Sequence, residues 1–497
     1  MFAQRIARVA ALATGLFAVA GPACARGQVV DLRVVSTTDV HGRIRGWDYF
    51  ADTAESARGL ARAATIVDSV RAANPAGTIV LDAGDFLQGN AFSYVSLRPA
   101  FRAGNPVVAA MNAVKYDAVV LGNHEFNYGL EALDRSLATA TFPVIAANVT
   151  RTDGKPGWKP MVWLDRGGVR IAVIGETTPW SMVWDKTLLE GRLEIADIVT
   201  STRRAVAEAR AQGADVVIVL AHAGLSDGPG GGSGGGSVPG MPPEDPMAAV
   251  ARAVPGIDLI VFGHTHREVA DTTINGVLLV QPRNWATSVS VAALRVERSA
   301  GAWTVVAKHG TIVRAAGHAE QAAIVARAAR AHAAARTYAT ATIARTSVAW
   351  STDSARTMDT PIIDFIGETM RRATGSDLAS TAVFSTDVRI APGPVSVARM
   401  AQLYPYDNTM RVLRISGAQL KAFLEQSARY YRVTGDADAR RASPDPAVIG
   451  FNFEVVTGAA YTVDLTRPVG DRVVGLTVRG RPVAPADSFS ITLTNYR

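Results

Sequence analysis

Ala118-Val119-Val120-Leu121-Gly122-Asn123-His124-Glu125 decides how this chain is read. Four apolar residues run into a glycine and then into three side chains able to do chemistry. The apolar run predicts a short buried strand, and the polar tail predicts a turn at its C-terminal end. The pattern recurs along the first three hundred residues. Leu32–Ser36 leads to Asp39-Val40-His41, and Thr78–Leu81 leads to Gly84-Asp85. Val216–Leu220 leads to Ala221-His222, and Leu259–Phe262 leads to Gly263-His264-Thr265-His266. Val169–Ile174 and Val277–Val280 predict two more strands, and Leu60–Ala73 and Ile198–Gln212 predict helices. Strands alternating with helices from Val29 to about Val313 make this an α/β chain.

In an open α/β sheet the C-terminal strand ends converge on one crevice, so residues distant in sequence meet there. Five of the eight histidines stand at such ends: His41, His124, His222, His264 and His266. With Asp39, Asp85 and Asn123 they offer imidazole, carboxylate and amide donors without cysteine. That set suits Zn, Mn, Fe or Co rather than Mg alone. One carboxylate shared by two ions about 3.5–4 Å apart is the usual two-metal arrangement. A lone histidine at a strand end is most often a surface hydrogen-bonding residue, but that does not explain five such sites in order. Glycine beside several of them lets the backbone turn sharply and approach a metal. His309, His318 and His332 have no such setting.

The rest of the composition bounds the answer. At roughly 100–200 residues per domain, 497 residues give two or three domains. With 48% hydrophobic and 19% charged residues, global disorder is excluded. No apolar run of about 18 residues follows position 25, which excludes a polytopic membrane protein. Cys24 is the one cysteine, so neither a disulfide scaffold nor a cysteine-rich zinc module is available. The net charge of +7 comes without a basic run longer than two residues. It reads as a diffuse bias towards small anions, not as a nucleic-acid-binding arm.

Residues 1–25 read as a secretory signal: Arg5 and Arg8, the apolar stretch Val9 to Ala20, and the small-x-small site Ala23-Cys24-Ala25. The expected address is periplasmic or secreted, with no stable membrane insertion after cleavage. The Gly228–Gly236 tract predicts a flexible surface loop. Ala319 to about Arg336 predicts a helix joining two domains. The expected boundaries are 28–315 for the first domain, 316–340 for the connection and 341–497 for the second. The second mixes helices at Ile362–Thr374 and Gly417–Tyr431 with strands, and its end at Thr492–Arg497 reads as cut within a strand.

The five motifs, in this order, resemble the calcineurin-like metallophosphoesterases. The resemblance implies an N-terminal αββα sandwich holding two divalent metal ions. Carried over, Asp39, His41, Asp85 and His266 hold the first ion, and Asp85, Asn123, His222 and His264 hold the second. Asp85 bridges. His124, next to Asn123 at the reaction centre, hydrogen-bonds the phosphate or protonates the leaving oxygen. Glu125 is expected to support the ligands from behind.

In the second domain, Leu403-Tyr404-Pro405-Tyr406-Asp407-Asn408-Thr409 is a rigid aromatic turn. Tyr406 and Tyr496 offer two faces for a base, with stacking worth roughly 1–3 kcal/mol each, and Asn408 can reach a base edge. A tyrosine in a turn is more often a packing residue, so the residues alone leave the clamp open. After the signal, however, the chain resembles the exported 5′-nucleotidase family, whose smaller α+β C-terminal domain binds the nucleoside. Gly122–Gly129 reads GNHEFNYG, with Asn127 where 5′-nucleotidases usually carry an aspartate that orients the catalytic histidine. Thr494-Asn495-Tyr496-Arg497 resembles the NNYR element of 2′,3′-cyclic-nucleotide phosphodiesterase/3′-nucleotidases. Thr386-Asp387-Val388-Arg389 replaces the usual Gly-Gly-x-Arg, leaving Arg389 as the positive charge there. The resemblance implies metal-dependent hydrolysis of nucleotide phosphoesters, with 2′,3′-cyclic and 3′-nucleotides first. A 5′-nucleotidase or UDP-sugar hydrolase is the alternative, and a sulfur-oxidation accessory protein is the alternative of another class. The connecting helix is expected to form part of a hinge.

Overall fold

A computed structural model of the chain describes residues 28–226, 240–404, 408–435, 441–446, 448 and 450–495. The expected signal, the glycine tract 228–236, Tyr406, Tyr496 and Arg497 lie outside the described residues.

The first unit is built on two six-stranded sheets. Their strands, labelled in chain order, are β1 Val29–Thr37, β2 Thr78–Asp82, β3 Ala118–Val120, β4 Val144–Ile145, β5 Met161–Arg166 and β6 Val169–Thr177. They continue with β7 Val216–His222, β8 Leu259–Phe262, β9 Val269–Ile274, β10 Val277–Gln281, β11 Ser288–Ser299 and β12 Ala302–Arg314. The orders are β12-β11-β1-β2-β3-β4 and β9-β10-β8-β7-β6-β5. Strands β1 to β4 run parallel to one another, as do β6, β7, β8 and β10. The C-terminal ends of β1, β2 and β3 therefore lie side by side, and so do those of β7 and β8.

Strand β7, Val-Val-Ile-Val-Leu-Ala-His, is buried throughout, as a parallel strand covered on both faces must be. Its Ile218 and Leu220 face the other sheet, packing with Leu32, Val34, Ile79 and Leu81. Val217 and Val219 point the opposite way, towards the Ile198–Ala211 and Met247–Ala253 helices. The outer face of the first sheet is covered by the Leu60–Ala73, Pro106–Val114 and Ala322–Thr340 helices. Helix, sheet, sheet and helix make four layers. The long β11–β12 hairpin, antiparallel to β1, widens the first sheet.

The connecting helix spans Ala322–Thr340 instead of Ala319–Arg336. Gln321 is engaged before it, its N–H donating to Ala61 O at 2.8 Å. Ile324, Ala328, Ala331, Ala335 and Ala339 fall on one face and join the core of the first unit. Small side chains let the helix sit close, so it is fastened along its length to the first unit. Beyond it, Leu378–Ala382, Met410–Ser416, Glu454–Thr457 and Ser488–Thr494 form a mixed sheet carrying the Pro361–Thr374 and Gly417–Ala428 helices. The second of these opens with a Ser416/Gln419 capping box. It ends at Ala428, short of Tyr431, because Tyr431 pairs with Pro444 in a hairpin. No helix among the described residues is long and apolar enough to cross a membrane.

One buried acid gives a stability prediction. Glu176 on β6 is fully buried, with the Ser201 and Thr202 hydroxyls beside its carboxyl. Burial pushes its carboxyl well above the ordinary glutamate range, the two hydroxyls offsetting only part of the shift. The folded chain therefore binds a proton that the unfolded chain releases, and stability falls as pH rises past the ordinary range. Each pH unit of that difference is worth up to about 1.4 kcal/mol. Glu176→Gln is expected to melt higher than wild type at pH 8.5, with the gap closing towards pH 5 in thermal scans. A gap independent of pH would show that Glu176 is ionised in the fold.

Candidate metal centre

The strand ends turn their side chains inward by an unusual backbone route. Asp39, His41, Asp85, His264 and His266 all have positive φ, between 47° and 76°. Left-handed backbone at a non-glycine residue costs of order 1–3 kcal/mol and persists only where the surroundings impose it. Here the imposition is visible. Asp39 N–H donates to Gly84 O and His41 N–H to Asp85 O, both at 2.8 Å, lacing the β1 loop to the β2 loop. The Glu125 carboxylate accepts the N–H groups of Asp85, Phe86, Leu87 and Gly122 at 2.7–3.0 Å, tying in the β3 loop. Burial and the Asp85 charge push Glu125 up to about 7, against those backbone donors. Two glycines permit the close approach. A Cβ on Gly84 would sit 2.6 Å from Gly122 N, and one on Gly122 would sit 2.1 Å from Asp85 Oδ1.

Two triads result. Asp39, His41 and His266 bring one ligand atom each within 4.8 Å of one another, and so do Asp85, His222 and His264. In the first, His41 Nε2 and His266 Nε2 are 3.0 Å apart, and His266 Nε2 is 3.3 Å from Asp39 Oδ1. In the second, His222 Nε2 lies 3.0 Å from Asp85 Oδ2 and 3.2 Å from Asn123 Oδ1. Asp85 Oδ2 is also 3.8 Å from His41 Nε2, so this carboxylate stands between the triads. In His41, His222 and His266 the other ring nitrogen is engaged from outside. His41 Nδ1 bonds Gln88 O at 2.8 Å, His222 Nδ1 bonds Ala83 O at 2.6 Å, and His266 Nδ1 lies 3.2 Å from Asn284 Nδ2. Such outer contacts fix which nitrogen faces an ion.

The residues fit a pair of divalent cations. Asp39 Oδ1 is buried without a hydrogen-bond partner and points into the first triad. Two imidazole nitrogens facing each other at 3.0 Å beside it need an electrophile between them more than a shared proton. Burial opposes the charge of Asp39, yet His266 and His222 hold its carboxyl below the usual range. Burial likewise opposes Asp85, which His222 and His124 hold well below that range. Burial, reinforced by His266 and His124, pushes His41 down to about 3. His222 goes the other way. Against its burial, the Asp85 and Asp39 carboxylates raise it to about 10. A field that keeps a buried imidazole protonated is one that a divalent cation answers.

His124 stands just outside both triads, its Nε2 4.0 Å from Asp85 Oδ2. Its backbone N–H donates to Asp85 Oδ1 at 2.8 Å, and its Nδ1 lies 2.5 Å from Asn127 Oδ1. Asn127 Nδ2 in turn donates to Asp185 Oδ2 at 2.9 Å. Burial raises the Asp185 carboxyl to about 7.

Several contributors were not visible in the motifs. His264 Nε2 meets Glu244 Oε1 at 2.9 Å, and Asp245 accepts Gly224 N–H at 2.7 Å. The Trp184 ring lies 5.7 Å from His264. Glu244 and Asp245 follow Pro242-Pro243 in a loop, and only the pairing of two acids among prolines marks them in the sequence. Asn284 and Asp185 carry no sequence signal. Of the substrate residues read from the sequence, Asn408 Nδ2 donates to the Tyr404 hydroxyl at 3.2 Å, and Tyr404 packs edge-on against Phe384. Arg389 is exposed, pairs with Asp353 at 3.4 Å and bonds the carbonyls of Thr386 and Val388. Tyr406 and Tyr496 are outside the described residues.

Residues 32–268 match the calcineurin-like phosphoesterase family, and residues 339–497 match the C-terminal domain of 5′-nucleotidases. A 2′,3′-cyclic-nucleotide 2′-phosphodiesterase/3′-nucleotidase of Yersinia enterocolitica is 30% identical over 550 residues, covering 95% of this chain and 81% of that protein. The chain belongs to the 5′-nucleotidase family. It is a hydrolase of the metallophosphoesterase type. Another member, the trifunctional nucleotide phosphoesterase protein YfkN of Bacillus subtilis, is 29% identical over 94% of this chain. The chain spans 36% of YfkN's length. A Staphylococcus aureus protein crystallised in complex with alpha-ketoglutarate superposes with a TM-score of 0.79 over 94% of this chain and 90% of that one. At 24% identity it shares the two-unit fold of the 5′-nucleotidase family.

Proposed function

We propose that this chain opens 2′,3′-cyclic nucleotides and removes the 3′-phosphate of the product, outside the cytoplasm. The observation that carries the reading is the pair of triads joined at Asp85, with His124 beside them and its far nitrogen anchored. Relatives bearing the cyclic phosphodiesterase/3′-nucleotidase name at 30% identity support this branch, as does Asn127 in the place of an aspartate. Export rests on the residue pattern of positions 1–25.

Asp39, His41, Asp85 and His266 would hold one divalent ion, and Asp85, Asn123, His222 and His264 the other. When bound, two such ions acidify a water and draw charge from the phosphoryl oxygens during in-line displacement. The chain's own residues do the rest. Asp85 sets the spacing of the two triads, its Oδ2 lying 3.0 Å from His222 Nε2 and 3.8 Å from His41 Nε2. Glu125 keeps the β2 and β3 loops in register. His124, oriented by Asn127, turns Nε2 to the leaving oxygen, where a proton lets an alkoxide depart as an alcohol. The second unit holds the nucleoside, with Asn408 at a base edge.

The test is product chromatography with the full chain loaded in turn with Mn²⁺, Co²⁺, Zn²⁺ or Fe²⁺. The expected result is 2′,3′-cyclic AMP passing through 3′-AMP to adenosine, with kcat/KM at least about tenfold above 5′-AMP, a gap of some 1.4 kcal/mol. Preference for 5′-AMP or a UDP-sugar would place the chain with the 5′-nucleotidases and make the Asn127 argument wrong.

A further inference from the structure

An asparagine behind a catalytic histidine raises a problem that an aspartate does not. Its amide has one accepting and one donating end, and only the accepting end suits an imidazole N–H. Asn127 faces His124 with Oδ1, and its Nδ2 donates to Asp185. A carboxylate oxygen on that side leaves the amide one useful orientation. Oδ1 must then take Nδ1–H of His124, which fixes the ring and leaves Nε2 for the reaction.

Asp185 is itself held from two directions. It is 3% exposed, and its N–H closes on Ser181 O at 2.9 Å at the end of the short Ser181–Trp184 helix. The carbonyl of the preceding Trp184 accepts Asn495 Nδ2 at 3.1 Å and Arg411 Nη2 at 3.4 Å. Both donors belong to the second unit. One hydrogen-bonded chain thus runs from the second unit through residues 184 and 185 and Asn127 to His124.

We propose that Asp185 is a positioning residue that sets the amide of Asn127, and through it the proton-donating geometry of His124. This rests on the reading of His124 as the group that serves the leaving oxygen. The effect is therefore specific to leaving groups that need a proton. Misplacing a reacting group by about 1 Å can cost on the order of 10²-fold.

The experiment compares Asp185→Ala, Asp185→Asn and the double variant Asn127→Asp/Asp185→Ala, all as full-length chains with metal content measured. Substrates are phenyl phosphate, which needs a proton on its leaving oxygen, p-nitrophenyl phosphate, which does not, and 2′,3′-cyclic AMP. Asp185→Ala is expected to lose about ten- to a hundredfold in kcat on phenyl phosphate and cyclic AMP. KM and metal content should hold, and p-nitrophenyl phosphate should change by less than about threefold on the same argument. Asp185→Asn, which keeps an acceptor for Asn127, should retain most activity. Asn127→Asp should restore the alanine variant, because a carboxylate at 127 needs no orienting. Equal losses on both aryl esters, loss of metal, or no rescue by Asn127→Asp would overturn the proposal. A wild type that ignores nucleotides would sink the substrate reading alone, since the aryl pair tests Asp185 without it.

Discussion

Asp85→Asn is expected to lower kcat by more than about 10³-fold and to leave at most one ion on each chain. Losing an outer partner of a ligand costs about 10–100-fold, and Asp85 is a candidate ligand shared by both sites. Its carboxylate is 1% exposed and lies 3.0 Å from His222 and 3.8 Å from His41. An amide keeps the shape and the bond from His124 N–H to Oδ1, but it removes the charge. The metal-free chain feels this too. Depressed Asp85 stabilises the fold above the ordinary carboxylate range, and this contribution is lost as pH falls through its lowered value. His222, raised to about 10, stabilises it below the ordinary histidine range and loses this as pH climbs through 10. At neutral pH the carboxylate contribution is present in full, and the histidine's is still largely there. The variant places an amide N–H or an uncharged oxygen against a buried imidazolium, so its metal-free melting temperature at pH 7 should fall below that of wild type. Elemental analysis, turnover and thermal melts read the three effects. Two ions retained with more than about a tenth of the activity would remove Asp85 from the bridging position.

The reason so much of this centre was legible lies in where the strands stop. β2, β3, β7 and β8 are buried on both faces and β1 over its last four residues, so each runs apolar into its end, and the first polar residues after it have nowhere to point but the crevice. Strands that bury one face only were harder. The β11–β12 hairpin mixes buried with exposed and half-buried residues along both strands and has no polar motif at its strand ends, though Ala300-Gly301 marks its turn. Among the supporting residues, Glu125 was legible beside its motif and Glu244 only faintly, as one of two acids among prolines. Asp185 and Asn284 come from loops whose place is set by tertiary packing, and nothing local distinguishes them from solvated side chains. The left-handed backbone at His41 or His266 is equally silent, because histidine does not announce it as glycine does.

The second large effect belongs to His124, and it separates proton donation from metal binding. His124→Ala should lower kcat on nucleotides by about 10²–10⁴-fold, the range for loss of a positioned acid, while both ions remain. The geometry demands this split. His124 Nε2 stays 4.0 Å from Asp85 Oδ2 and belongs to neither triad, and its side chain is 21% exposed, open to a ligand. Burial pushes its imidazole below the ordinary range, with the Asp85 charge and the Asn127 bond pulling back. A donor must be protonated, and a lowered value means that the protonated fraction declines at lower pH than for an ordinary histidine. Wild-type kcat should therefore carry an alkaline limb starting at or below that range, and the alanine variant should lack it. On p-nitrophenyl phosphate the loss should be much smaller, because that leaving group departs without a proton. If metal content falls with activity, His124 is a ligand. If the loss is the same for every leaving group, it binds the phosphoryl group without donating a proton. Only retained metal, a missing alkaline limb and a leaving-group-dependent loss together make His124 the acid.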